Sequence, residues 1–224
     1  MKREIILDTE TTGLKPEQGH RIIEICGMEV INGIKTGNFF HTFINPQREV
    51  PYEAFSIHGI STEFLLDKKI FSEIAHEFLE FIKGSTLVIH NARFDVNFLN
   101  HELKTLSHPL ISFDTVIDTL AVARKKFPGS PASLDALCKR FKINLSKRDK
   151  HGAMIDVELL YEVYKNLVED RLLIKTNEKT EKNLESLNLK EKKYKEPRKY
   201  ECSAEELFAH TELLKKIKEP IWNN

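Results

Sequence analysis

Carboxylates and one imidazole recur along this chain at spacings suited to binding a cation and hydrolysing an ester. The first pair is Asp8 and Glu10, which follow the apolar run Ile5-Ile6-Leu7. Side chains alternate between the faces of a strand, so residues two apart point the same way. Two carboxylates that close repel, and near neutral pH both stay charged only beside compensating positive charge. Hard divalent ions such as Mg²⁺ or Mn²⁺ supply it through oxygen ligands. Taken alone, the stretch also reads as a solvated acidic turn after an edge strand.

Two further groups can complete the pair. Asp95 ends the run His90-Asn91-Ala92-Arg93-Phe94-Asp95, which begins where the apolar stretch Thr86–Ile89 stops. That places it in the first turn of a helix, beside a strand expected to neighbour the first. Alone, it is a helix-start carboxylate favoured by the macrodipole. His151 and Asp156 stand five residues apart in HGAMID. Within one regular helix that spacing would splay them by about 140°. Gly152 relieves this, since His151 can sit on the preceding loop while Asp156 projects from the helix start. A loop histidine, with an ordinary pKa near ~6.5, is a candidate general base, and alone it is a surface histidine. The joint occurrence of the three groups, in order, carries the chemical reading.

The elements that must position them follow from composition and periodicity. The chain has 224 residues, 41% hydrophobic and 30% charged, enough for one α/β domain and a tail. Lys plus Arg balance Asp plus Glu at 34 each, so net charge selects neither a nucleic-acid nor a membrane partner. Cys26, Cys138 and Cys202 are too scattered for a metal or redox pair, which fits a reduced, cytoplasmic protein. No signal core follows Met1, and no segment approaches the length of an apolar membrane span, so no membrane partner is expected.

Strands are expected over Ile5–Asp8, Arg21–Asn32 and Thr36–Ile44, joined by short links as an antiparallel meander. A short helix after Pro51 includes Glu53–His58. The apolar positions 71, 74, 75, 78, 79 and 82 form one helical face ended by Gly84. A buried strand Thr86–Ile89, a helix marked by Phe94 to Leu106, a weaker strand Phe113–Ile117, and helices Thr119–Phe127, Leu134–Phe141 and Ala153–Val168 complete the pattern. The fold class is α/β, a mixed five-stranded sheet flanked by helices, with site residues at strand ends and helix starts. From Lys175 to Lys199 the sequence becomes Lys-, Glu- and Asn-rich and reads as a flexible linker. Ser203-Ala204-Glu205-Glu206 then fits a capping box opening a short amphipathic helix, and Ile221-Trp222 reads as a docking anchor.

These motifs resemble a known family. Asp8-x-Glu10, Asp95 in His-Asn-x-x-Phe-Asp, and His151-x-x-x-x-Asp156 resemble the three exonuclease motifs of the DEDDh, or DnaQ-like, 3′→5′ exonucleases. DTETTGL, GHRIIEI, EAFSIHGI, LVIHNARFD, PGSPASLDALC and HGAMID extend the likeness over about residues 3–168, toward the proofreading epsilon subunits of bacterial DNA polymerase III. The resemblance implies a ribonuclease-H-like fold and two-metal hydrolysis of mismatched 3′-terminal nucleotides of DNA, released as 5′-monophosphates. It implies Asp8, Glu10 and Asp156 as ligands of two Mg²⁺ (or Mn²⁺), Asp95 supporting the second ion in part through water, and His151 as the base.

It also implies a terminal-nucleotide pocket. Asp8, Glu10 and Asp156 would touch the substrate there, with Glu53 accepting from the 3′-hydroxyl, His58 at the sugar or phosphate and Ile57 wedged beside the base. Thr11 and Asn91 are weaker candidates that also serve to orient their own loops. The implied organisation is an exonuclease domain over 1–174, a linker over 175–200, and a segment over 201–224 docking on the polymerase alpha subunit. No glutamine follows Gln47, so the family's glutamine-containing sliding-clamp motif is not visible.

Overall fold

The computed structural model describes residues 2–146, 151–168 and 202–216. The linker expected over 175–200, and Ile221-Trp222, lie outside the described residues. The chain divides into two units, Met1–Asn177 and Glu178–Asn224.

In the first unit the strands are β1 (Arg3–Thr11), β2 (Ile22–Ile31), β3 (Ile34–Phe43), β4 (Thr86–Ile89) and β5 (Val116–Asp118). They form one sheet in the order β3-β2-β1-β4-β5. The β1–β2–β3 meander is antiparallel, and β4 and β5 join it in parallel. The helices are α1 (Tyr52–His58), α2 (Thr62–Leu65), α3 (Phe71–Ile82), α4 (Ala92–Thr105), α5 (Thr119–Lys126), α6 (Leu134–Arg140) and α7, over residues 153–168.

Strand alternation sorts β1 into two sets. Ile5 and Leu7 face a core completed by Phe71, Ile74 and Phe78 of α3 and Val96, Leu99 and Leu103 of α4. Ile6 faces the other side with Cys26, Met28 and Val88, under Ala153, Val157, Leu160, Tyr161 and Tyr164 of α7. A third cluster packs α5 and α6 onto the back of α7 through Ala123, Leu137, Cys138, Leu159, Val163 and Leu167. The parity decides the chemistry: Asp8 and Glu10 lie on the α7 face and Thr9 on the α4 face.

Two sequence expectations shift. The first strand runs past Asp8 to Thr11, because β2 pairs with it through Thr9, Glu10 and Thr11. The expected strand Phe113–Ile117 is a 3₁₀ turn over Phe113–Thr115 followed by β5. Ser112 Oγ accepts a hydrogen bond from the Asp114 amide and winds those residues out of the ladder. The 3₁₀ turn Pro16–Gln18 lies in a loop of turn composition, and the short α2, capped by Ser61, lies in a stretch to which the sequence alone assigns no element.

Candidate active site

The site forms where the parallel pairing of β1 and β4 ends. That pairing stops at Ile6 and Val88, and β1 continues through Asp8, Thr9 and Glu10 with β2 still beside it on its other edge. Crevices beyond the carboxyl ends of sheet strands are where open α/β folds bind ligands. A register irregularity between Glu10 and Thr11 skips Ile23 of β2, and such bulges re-aim neighbouring side chains.

β4 gives way to the turn His90-Asn91, in which Asn91 adopts a left-handed conformation (φ 63°) before α4 begins. Asp118 holds this turn. Its Oδ1 accepts from the Asn91 amide at 3.2 Å and from the Leu120 amide at 2.9 Å, capping α5 as well. Thr119 Oγ1 lies 2.9 Å from His90 Nδ1. The turn so fixed puts Asp95 in the first turn of α4, buried, reaching β1 from the face opposite Asp8 and Glu10. Asp95 Oδ1 accepts from the Thr9 amide at 3.1 Å and the Thr9 hydroxyl at 2.7 Å. It thus occupies the edge that β4 has vacated.

From the other face, α7 brings Asp156, which is 4% exposed, and the residue before its start region brings His151. His151 Nδ1 is 3.4 Å from Asp156 Oδ2, and the imidazole is half exposed. One ligand atom from each of Glu10, His151 and Asp156 lies within 4.8 Å of the others. Asp8, Glu10, Asp95, His151 and Asp156 all line one cleft of about 540 Å³, with Asn91 and Phe94 in its wall.

An adjoining cleft of about 490 Å³ shares Thr9, Glu10, Leu14 and Phe94 with the first. Glu53, Ile57 and His58 of α1 line it together with Thr11. His58 is buried and its Nδ1 accepts from the Ile60 amide at 3.0 Å, so the neutral ring carries its proton on Nε2. Ile57, Tyr52 and Leu14 expose apolar surface. The Ile57 carbonyl accepts from the His151 amide at 3.2 Å, tying the two clefts through the backbone.

The turn after Glu10 is held from several sides. Thr11 Oγ1 donates to the Gly13 carbonyl at 2.6 Å, and Thr12 exchanges backbone and side-chain bonds with Arg21. A side chain at Gly13 would collide with His20, placing its first carbon 2.3 Å from that ring. Arg21 in turn makes two bonds, 2.6 and 2.8 Å, to the nearly buried carboxylate of Glu102 on α4.

The electrostatics are those of crowded anions. Burial first, and then the charges of Asp95, Asp156, Glu10 and Glu24, hold the Asp8 carboxyl well above the usual carboxylate range. Burial pushes Asp95 up to about 7 against the lowering effect of its Thr9 bonds. Burial also pushes the neighbouring Cys26 thiol up to about 12, so it stays neutral. Four carboxyl groups around one cleft, lacking comparable positive charge among the described lining residues other than Arg124, are a donor set that fits hard divalent cations.

A pH dependence follows. A folded carboxyl whose pKa is raised binds its proton more tightly than the unfolded chain does. Stability is therefore lost as pH rises through the folded value, about 7 for Asp95. Metal-free protein is expected to melt several degrees lower at about pH 8 than at about pH 6.5, and millimolar Mg²⁺ to remove the difference. The window stays at or above about pH 6.5 because the buried His90, whose pKa is lowered, opposes the trend below it. Thermal unfolding in chelator and in Mg²⁺ checks this; a melting point that rises with pH in chelator contradicts it.

Sequence reasoning did not single out Glu24, His41, Arg21, Glu102 or Asp118 for any role. A charged residue inside the otherwise apolar run Ile22-Ile23-Glu24-Ile25 was the available signal for Glu24. The others are recognisable only once distant elements meet.

The RNase T family model, described as Exonuclease, matches residues 5–164. A DNA polymerase III subunit epsilon from Rickettsia typhi is 52% identical over 223 residues, covering 96% of each chain. A structure of exonuclease X in complex with 5′ overhanging duplex DNA superposes with a TM-score of 0.58 at 27% identity, covering 76% of this chain and 92% of that one. The nuclease domain of 3′hExo, a DEDDh family member bound to rAMP, gives a TM-score of 0.65 at 18% identity over 75% of this chain and 92% of that one, a likeness of fold.

Proposed function

This chain belongs to the RNase T exonuclease family, with the epsilon subunits of DNA polymerase III among its relatives, and we propose how its cleft removes nucleotides from a DNA 3′ end. The reading is a 3′→5′ proofreading exonuclease, a metal-dependent hydrolase releasing mismatched terminal nucleotides as 5′-monophosphates. The observation that carries it is the convergence of Asp8, Glu10, Asp95, Asp156 and His151 on one cleft, beside a second cleft of nucleotide size.

In this reading Asp8, Glu10 and Asp156 hold the metal ions and Asp95 supports them while bracing the Thr9 backbone. Two divalent ions, Mg²⁺ or Mn²⁺, supply when bound the positive charge that admits an anionic phosphodiester, activates water and steadies the departing oxygen. His151 accepts the proton of the attacking water. Asp156 beside Nδ1 favours the tautomer protonated there, which makes Nε2 the accepting atom. The water oxygen bonds to phosphorus as the bond to the 3′ oxygen of the preceding nucleotide breaks. Glu53 receives the terminal 3′-hydroxyl, His58 lies at the sugar or phosphate, and Ile57 wedges beside the last base. Thr11 and Asn91 shape the loops around them.

The organisation we propose is an exonuclease domain over 1–174, a connecting stretch over 175–200 and a docking segment over 201–224 that binds the polymerase alpha subunit. The second unit contributes α8 (Ala204–Leu214), opened by a capping box in which Ser203 Oγ and Glu206 Oε2 accept from each other's backbone amides. Leu207, Phe208 and Leu213 on it are exposed. Among the described residues no helix is long and apolar enough to cross a membrane, and a cytoplasmic location belongs to the proposal. End-labelled DNA and RNA strands of one sequence test the substrate class. DNA is expected to be shortened from its 3′ end with 5′-monophosphate release, and a clear preference for RNA would replace this reading with RNA trimming.

A further inference from the structure

We propose that Glu24 is a positioning residue for the reaction, a buried carboxylate on β2 that fixes the start of α7 and with it Asp156 and His151. The proposal rests on the hydrolytic reading above. Glu24 stands opposite Glu10 in the β1–β2 register and is 3% exposed. A fifth carboxylate beside four others has a cost, since its charge helps to raise the Asp8 pKa. Glu24 does not line the cleft that Asp8, Glu10, Asp95, His151 and Asp156 share. Its two oxygens are engaged elsewhere.

Glu24 Oε1 accepts from His41 Nε2 on β3 at 2.7 Å, and Oε2 accepts from the Ala153 amide at 3.2 Å. Ala153 is the first helical residue of α7, and the residue before it is Gly152, which has no side chain to cap the exposed amides. Glu24 therefore supplies from β2 the capping carboxylate that local sequence lacks, at the end of the helix where negative charge is favoured. His41 faces the same carboxylate from the far side. Asp156 is one turn further along α7, with its amide bonded to Gly152, and His151 immediately precedes that glycine. A helix start held at Ala153 sets the height of Asp156 over Asp8 and Glu10.

The full-length protein carrying Glu24→Ala, Glu24→Gln or His41→Ala tests this. Three readings are made on each: equilibrium binding of Mn²⁺, hydrogen exchange at the Ala153 amide, and nucleotide release as a function of Mg²⁺. Loss of a group that orients metal ligands typically costs about 10–100-fold in metal affinity or activity. Glu24→Ala is expected to weaken Mn²⁺ binding and raise the half-saturating Mg²⁺ by at least about tenfold, with KM for DNA changed less than about threefold. Exchange at Ala153 should accelerate by a similar factor. Glu24→Gln, which keeps an acceptor oxygen, should recover part of each loss, and His41→Ala should show a smaller loss in the same direction.

Melting of the metal-free Glu24→Ala protein sets the lost Ala153 and His41 bonds against the relief of charge repulsion, so the metal-binding, exchange and turnover readings decide the proposal. A variant that melts lower yet binds Mn²⁺ and turns over like wild type would reduce Glu24 to a structural role and overturn the proposal. If the wild-type protein released no nucleotides, the hydrolytic reading would fail by itself. Mn²⁺ binding and Ala153 exchange would still decide whether Glu24 orders the site.

Discussion

Replacing His151 by alanine lowers turnover at a DNA 3′ end by roughly 10²–10⁴-fold, the range expected for loss of a general base, while DNA still binds. Asp8→Ala lowers it at least as far, because that carboxylate lies at the centre of the cluster. Its own ionisation is opposed by Asp95, Asp156, Glu10 and Glu24 as well as by burial. The same fact predicts the control. Removing Asp8 relieves repulsion, so metal-free Asp8→Ala protein melts no lower than wild type and gains less from added Mg²⁺. Inactivity with retained folding and DNA binding separates a chemical role from a structural one. Single-turnover rates in saturating Mg²⁺, with calorimetry on the same samples, make the comparison. Either variant turning over within about threefold of wild type would remove its residue from the assigned role.

Deleting residues 200–224 is expected to abolish co-purification with the polymerase alpha subunit and to leave nucleotide release from free DNA unchanged. A capped helix with exposed Leu207, Phe208 and Leu213 offers large apolar side chains to a partner. The site residues all belong to the other unit. Nothing in the proposed chemistry draws on the deleted stretch. Co-purification that survives the deletion would place the docking surface elsewhere, and exonuclease activity lost with it would tie the segment to the site.

The legible parts of the sequence were those governed by local periodicity. Alternation along β1 put Asp8 and Glu10 on one face, and the 3.6-residue stripe of α3 marked its buried side. Ser133 before α6 marked a helix start, and its hydroxyl accepts from the Ala136 amide. The placement of Asp95 in the first turn of α4 followed from the end of β4. What escaped was set by contacts between distant positions or by single side chains competing with the ladder. Ser112 turned the expected Phe113–Ile117 strand into a 3₁₀ turn and a shorter β5.

Asp95 reaches Thr9 from 86 residues away, and Ala153 reaches Glu24 across 129. No periodicity announces either contact. The sequence also left the direction of Asp95 open. Its bonds to Thr9 show that it braces the strand as well as adding charge to the cleft. The five residues proposed for catalysis were found through their joint occurrence in order and the family resemblance of the motifs that carry them. Of the residues that hold them in place, Glu24 was marked by its charge within an apolar run, while Arg21, Glu102 and Asp118 became visible only in the assembled fold.

The most direct measurement is release of nucleotides from a primer with a mismatched 3′ end, followed with Mg²⁺ and with chelator. The account predicts 5′-monophosphates appearing one at a time from the mismatched end in Mg²⁺ and none in chelator. Release that is unchanged in chelator, or products bearing a 3′-phosphate, would contradict it.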